Sequence, residues 1–421
     1  MKHKTVKRKV LNRPHQIVAK EVFFAINDIF DKGVYLDKAI EKMMRKNKVW
    51  GVRDREYAST MTTEMVRNWR LLSNASAVDY DFTILNFWTI FGTLVLLRGD
   101  DLSEFRSLQG FPEKDITNRL KKFKNNRKIR ESYPDWIDKI CEKEIGRKWD
   151  DIAAALNRPA KMILRANRLK TTREELKKML EEDGVETQEV DIAPDALELV
   201  FRRNVFRYDA FTNGLFEVQD SASQLVSDFL DAEPGMRVVD ACAGTGGKSL
   251  HLAAFMKNKG KLIALDNKDF KLAELRKRAS RAGVGIIETK LIDNTKVIKR
   301  LAGSADRVLL DMPCSGLGVL RRNPDTKWLF LEEELERVKE QQLQILTQYS
   351  NMCKPGGIIV YAVCSILPSE GEDQVRKFLS THPDYELMGE KRYSPADYNC
   401  DGFYMAKLKR NAAAVVEKVE E

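Results

Sequence analysis

The stretch Asp240–Ser249, DACAGTGGKS, ends on Gly247, Lys248 and Ser249 in the manner of a phosphate-binding loop. The pattern G-x-x-x-x-G-K-[ST] asks for a glycine five positions before Gly247, and Cys242 stands there instead. What remains is Gly244, Gly246 and Gly247 between a β-rich run and a helical one. Glycines at such a junction let the backbone turn tightly and approach a ligand at a helix N-terminus. An acid also closes each of four successive β-rich runs: Asp240, Asp266, Asp293 and Asp311. Asp266 follows Gly246 by twenty residues, the place for a carboxylate that accepts from both ribose hydroxyls of an adenosine. Asp293 stands where it could meet the adenine edge. An adenosine without a pyrophosphate, as in S-adenosylmethionine, suits a loop that lacks the full phosphate pattern. The alternative, nucleotide hydrolysis, would make Asp311 a magnesium-holding acid and is weakened by Cys242.

Two cysteines fall at the ends of two consecutive β-rich runs, Cys314 in DMPCSG and Cys364 in YAVCS. In a doubly wound sheet the fourth and fifth strands are neighbours, so both thiols would overlook one cleft. A thiol beside a methyl donor has a specific use. Carbon 5 of a pyrimidine is a poor nucleophile until a thiolate adds to carbon 6 and turns the ring into an enamine. A base then removes the carbon 5 proton and the thiol leaves by elimination. The target must be unstacked or single-stranded to be reached. Spacing alone does not say which of the two thiols attacks. Cys141 and Cys353 read as small buried hydrophobes, and Cys242 as packing beneath the cofactor.

These residues need a scaffold, and the chain of 421 residues provides several domains. Hydrophobic residues at 43% and charged ones at 32% suit a soluble protein with real cores. From about 17 to 126 the pattern is helical: IVAKEVFFAINDIF puts apolar residues at 17, 18, 22, 23, 26, 29 and 30. The segment from Pro159 to Val200 reads strand, helix, strand. From Arg237 onward β-rich runs alternate with helical ones, which predicts an α/β, doubly wound, mostly parallel sheet. The expected domains are a helical one over 1–130, a linker and small α/β subdomain over 131–215, a cofactor-binding domain over 216–411 and a charged tail over 412–421. The apolar window Leu85–Leu97 is thirteen residues long, right for a buried helix and too short for a membrane span. No apolar signal segment follows the charged N-terminus, and the cysteines form no C-x-x-C pair. A cytoplasmic protein without a metal site is expected, and nothing demands more than a monomer.

The net charge is +9, and the cations cluster. The first thirteen residues carry six Lys/Arg, and RLKKFKNNRKIR (Arg119–Arg130) has seven in twelve positions. Runs of this kind suit a polyanion such as RNA. LRRNPDTKW adds Arg321, Arg322 and Lys327 beside the expected cleft as candidate RNA contacts.

Taken together, VVDACAGTGGKSLHLAA, ALDN, LLDMPCSGLGVLRRNPDTKW and YAVCSILPSEGEDQV resemble the RNA cytosine-C5 methyltransferases, and within them the bacterial kind acting on small-subunit (16S) ribosomal RNA. The resemblance runs from about His15 to Arg410. It implies a class I, Rossmann-like catalytic domain, an N-terminal all-α module like the antitermination factor NusB, and S-adenosylmethionine as cofactor. At the matching positions it implies that Cys242, Ala243, Gly244, Thr245, Gly246, Gly247 and Lys248 form the cofactor loop. Asp266 would bind the ribose, Asp293 the adenine, and Asp311 would lie between methyl donor and target base. The nucleophile falls on Cys364, and Cys314 is implicated in product release. The family's usual C-A-A-P-G-G-K is here C-A-G-T-G-G-K, Met312 replaces Ala and Val363 replaces Thr. None of these changes removes a reacting group. A silent RNA-binding assembly factor, or an enzyme for transfer RNA, are the competing readings.

Overall fold

A computed structural model of the chain describes residues 16–78 and 83–412. The first basic run, residues 1–13, and all but the first residue of the C-terminal tail lie outside them. The described residues divide into two compact units, one of those up to 143 together with 323–331, the other of residues 144–322 together with those from 332 on.

The first unit is helical. In the helix Gln16–Phe30, Val18, Val22, Ala25, Ile26 and Ile29 recur at helical spacing and are all buried. They pack with the helices Val52–Arg67 and Ile84–Arg98 around Met61, Met65, Phe87 and Phe91. The apolar window is the core of Ile84–Arg98, begun by the Thr83 hydroxyl, which accepts from Asn86 N, and ended by Gly99 in the left-handed region at φ 71°. Among the described residues no helix is long and apolar enough to cross a membrane.

The segment 323–331 belongs to this helical unit although its sequence neighbours belong to the other. Asp325 Oδ2 accepts from Leu36 N at 2.9 Å, and Trp328 Nε1 donates to Val66 O at 2.8 Å. Lys327 is buried, and its Nζ donates to the carbonyls of Arg67, Glu131 and Ser132 at 3.2, 3.0 and 3.2 Å. The expectation that Lys327 contacts RNA is therefore corrected: its Nζ is buried and donates to the peptide carbonyls of its own unit.

The second unit holds two sheets. The small one is antiparallel, in the order β2-β3-β1-β4, from β1 (Ile163–Ala166), β2 (Thr187–Glu189), β3 (Ala196–Leu199) and β4 (Phe216–Val218). One helix covers it, Arg173–Glu182, opened by a capping box between Thr172 and Glu175 and burying Leu176 and Leu180. The sequence had suggested two strands here; β3 and β4 add the other two.

The large sheet has the order β10-β11-β9-β8-β5-β6-β7. Its strands are β5 (Arg237–Asp240), β6 (Lys261–Asp266), β7 (Ile287–Leu291), β8 (Ala305–Asp311), β9 (Cys353–Val363), β10 (Tyr385–Tyr393) and β11 (Phe403–Arg410). β5 to β9 run parallel, as the alternating pattern predicts, while β10 and β11 form an antiparallel hairpin joined to β9. The chain reverses its direction of winding between β5 and β8, and the carboxyl ends of these central strands are where such a sheet opens a crevice.

Candidate functional site

The glycine loop leaves β5 and enters the helix Gly247–Phe255. Gly244 and Gly246 both have positive φ, 55° and 88°. A Cβ on Gly246 would lie 2.5 Å from Leu275 Cγ, so the helix Asp269–Ala282 can approach only because that carbon is absent. Gly244 differs, since a Cβ there would meet nothing within 4 Å. The loop is therefore braced on its Gly246 side and open at Gly244, where a ligand could lie against the backbone.

Asp266, at the end of β6, faces this loop and is buried. Its Oδ2 accepts from Gly244 N at 2.9 Å and its Oδ1 from Lys268 N at 2.8 Å. A carboxylate has about four acceptor positions, so each oxygen retains capacity for a hydroxyl. Asp293 lies exposed just beyond β7, with Oδ1 accepting from Asn294 Nδ2. Thr245, which stands where the resembling sequences have proline, accepts from Arg278 at 2.9 Å through its hydroxyl, and Arg278 continues to Glu217 at 2.9 Å. The loop thus gains a side-chain tether in place of a rigid ring.

Lys248 reaches across to β8, its Nζ 2.6 Å from Asp311 Oδ2. Beneath them, burial pushes the Asp240 carboxyl up to about 7, opposed by the Ser249 hydroxyl, which donates to it at 2.6 Å. Burial likewise raises the Cys242 thiol, as expected of a packing residue.

The two strand-end thiols meet. Cys314 Sγ and Cys364 Sγ are 3.1 Å apart, both partly exposed, and none of the six cysteines is in a disulfide. The hydrogen bond with Cys364 and then burial raise the Cys314 thiol well above its ordinary value, with the Glu370 charge adding to the effect. Neighbouring register brings them together: Asp311 pairs with Ala362 across β8 and β9, and Gly318 N donates to Cys364 O at 3.0 Å. Met312 and Val363 are buried in the core cluster against which Cys314 packs.

Arg321 and Arg322 require a second correction. Arg321 is buried and donates to Cys400 O at 3.0 Å and Asn399 Oδ1 at 3.1 Å. Arg322 pairs with Asp401 at 2.5 Å and Asp220 at 2.7 Å. Both hold the loop after Cys314 against the turn before β11, so their donors are engaged within the protein rather than offered to RNA. In the run Arg119–Arg130, Arg119 donates to Ala75 O, Arg127 pairs with Asp138 and Lys128 with Asp135. Lys121, Lys122 and Lys124 are exposed.

Sequence reasoning missed Ser315, Ser365, Gln342 and Glu370, which lie directly behind the thiols. Each of the two serines is the residue that follows a cysteine, which is the one local signal that could have drawn attention to them.

Residues 227–409 match the family described as 16S rRNA methyltransferase RsmB/F, and residues 133–205 match the RsmF/B-like ferredoxin-like domain. The probable ribosomal RNA small subunit methyltransferase B of Bacillus subtilis is 33% identical over 298 residues, covering 66% of this chain and 66% of that protein. The ribosomal RNA small subunit methyltransferase B of Vibrio vulnificus is 33% identical over 289 residues, covering 66% of this chain and 67% of that one. The matched stretches thus span about two thirds of these relatives' length. The crystal structure of PH0851 superposes with a TM-score of 0.79 at 26% identity, over 96% of this chain and 100% of that one.

Proposed function

From the premise that the chain belongs to the 16S rRNA methyltransferase family RsmB/F, we propose that it methylates carbon 5 of a cytosine in 16S ribosomal RNA through a covalent cysteine adduct. The observation that carries this reading is the 3.1 Å approach of Cys314 and Cys364 at the carboxyl ends of two adjacent strands, next to the Lys248–Asp311 pair. One thiol suffices for addition to a pyrimidine, and a second beside it could assist release.

The glycine loop from Cys242 to Lys248, Asp266 and Asp293 would hold S-adenosylmethionine, the open face of Gly244 and the remaining acceptor capacity of Asp266 being the features that fit it. The cofactor supplies an electrophilic methyl group. The protein's own part is to make carbon 5 able to take it. Cys364 Sγ adds to carbon 6 and breaks the 5,6 double bond, placing electron density on carbon 5. Cys314 Sγ lies 3.1 Å from Cys364 Sγ, within reach to pass a proton between them; Cys364 is taken as the attacking sulfur because it stands where the resembling family carries its nucleophile, a ranking that strand spacing left open. Asp311, fixed by Lys248, stands at the same strand end, where it would orient the target base. After methylation a base, water included, takes the carbon 5 proton; the electrons of that C–H bond re-form the 5,6 double bond, the carbon 6–sulfur bond breaks and Cys364 departs, with Cys314 assisting release.

Lys121, Lys122 and Lys124 are exposed cations on the helical unit and would meet the RNA backbone. The reaction would run in a reducing cytoplasm, where thiols outside any disulfide stay reduced, with the protein acting as a monomer.

The test uses labelled adenosylmethionine and unmodified small-subunit rRNA, digested to nucleosides, with Cys364→Ala and Cys314→Ala beside the wild type. Label in 5-methylcytidine, lost in Cys364→Ala, with a protein–RNA adduct accumulating in Cys314→Ala, is expected. Label in another nucleoside, or none despite cofactor binding, would refute the reading.

A further inference from the structure

Glu370 ends the short turn Pro368–Glu370 ahead of the helix Glu372–Thr381 and is completely buried. A buried carboxylate is costly unless its acceptor positions are filled. Four donors fill them here. Oε1 accepts from Ser315 N at 2.8 Å and from Gln342 Nε2 at 3.1 Å. Oε2 accepts from the Ser315 and Ser365 hydroxyls, each at 2.5 Å. The residue's own carbonyl accepts from Tyr361 OH at 2.6 Å, which anchors the turn to β9.

The two serines follow Cys314 and Cys364 in the chain. Each hydroxyl also accepts from the backbone two residues on, Leu317 N to Ser315 at 3.3 Å and Leu367 N to Ser365 at 3.2 Å. Each serine therefore shapes the turn that carries its cysteine, and one carboxylate oxygen joins the two turns. Hydrogen bonds from hydroxyls to an ionised acceptor are short and roughly twice as strong as neutral ones.

We propose that Glu370 is a positioning residue that holds the Cys314 and Cys364 thiols at their working separation by clamping Ser315 and Ser365 on one carboxylate. The consequence for turnover rests on the roles given above to the two cysteines. The clamp itself is a claim about geometry and stands apart from them.

Glu370→Gln is close in shape but turns one acceptor into a donor that faces donors. Two measurements follow, with thermal unfolding as the check on folding. The first, without RNA or cofactor, is the rate at which the oxidant diamide joins Cys314 and Cys364, followed by peptide mapping. In that step two thiols lose two protons and two electrons to form the disulfide, and diamide takes up both as it becomes the hydrazine. A clamp that has let go slows closure, by about tenfold where the sulfurs drift on the order of 1 Å. Loss of a negative charge alone would ease thiol ionisation and speed closure, so the direction separates positioning from electrostatics. Ser315→Ala and Ser365→Ala keep the charge and are expected to slow closure as well, which serves if Glu370→Gln does not fold. The second measurement is steady-state methylation, where kcat falls by up to about a hundredfold with the KM for adenosylmethionine unchanged. Closure at or above the wild-type rate in Glu370→Gln and in both serine variants overturns the clamp, whatever the methylation assay shows. Slowed closure in a chain that transfers no methyl group supports the clamp and refutes the catalytic reading instead.

Discussion

Lys248 Nζ lies 2.6 Å from Asp311 Oδ2, joining the first turn of the helix after β5 to the carboxyl end of β8. Lys248 is largely buried and Asp311 about one third exposed, at 11% and 31% of their side-chain surface. The pair spans the sheet's switch point and sets where Asp311 stands relative to the glycine loop. A hydrogen bond of this charged kind contributes about 1.5–3 kcal/mol, roughly a ten- to hundredfold change in rate. Lys248→Met is expected to lower kcat by that factor while calorimetry still detects adenosylhomocysteine binding. Unaltered turnover would show that the pair does not position Asp311.

Asp240 predicts a pH dependence of stability. Burial raises its carboxyl from 3.8 to about 7, so between those values the folded chain binds a proton that the unfolded chain has released. Stability must then fall as pH rises through this window and level off above about 7, a span worth on the order of 4 kcal/mol. Asp240→Asn keeps an oxygen for the Ser249 hydroxyl and removes the titration. Urea unfolding at pH 5 and pH 8 is expected to show the variant losing less stability than the wild type across the interval. Parallel losses would rule out Asp240 as their source.

The strand-end aspartates and Glu370 differ in how far the sequence marks them. Asp266, Asp311 and Asp240 were found because each ends a β-rich run, and strand ends are marked locally by the turn residues that follow. Cys314 and Cys364 could be placed on one cleft because strand order in a doubly wound sheet is a topological rule. Glu370 obeys no such rule. Its partner Ser315 is 55 residues away, and a glutamate in PSEGED reads as surface. Arg321, Arg322 and Lys327 were misread for the converse reason. A dense charge run looks solvated until buried carboxylates and carbonyls, contributed by distant segments, are seen to receive it. The β10–β11 hairpin escaped because β10, YELMGEKRY, is an edge strand with most of its residues exposed, and so lacks a clean apolar alternation.

The corrected electrostatics move the RNA prediction to the helical unit. Each phosphate neutralised contributes about 0.7–0.9 to the slope of log K against log salt. Replacing Lys121, Lys122 and Lys124 together by Gln is expected to flatten that slope by about 2 to 3. Lys327→Met should leave the slope alone and lower the melting temperature, because three carbonyls, two of them buried, lose their donor at about 1 kcal/mol or more each. A flattened slope for Lys327→Met with an unchanged melting temperature would restore it as a contact.

Two glycines of one loop should respond differently to the same methyl group. Both have positive φ, which costs a non-glycine residue about 1 kcal/mol. Gly244→Ala meets open space, so its expected loss ends there, and its Cβ would matter chiefly to whatever lies over the loop. Gly246→Ala must also displace Leu275, whose Cγ would be 2.5 Å away in a packed core, adding about 1–3 kcal/mol of overpacking. The expected pattern is a modest drop in melting temperature with weakened adenosylhomocysteine binding for Gly244→Ala, and a much larger drop for Gly246→Ala. Equal destabilisation by the two would mean that the helix Asp269–Ala282 does not brace the loop at Gly246.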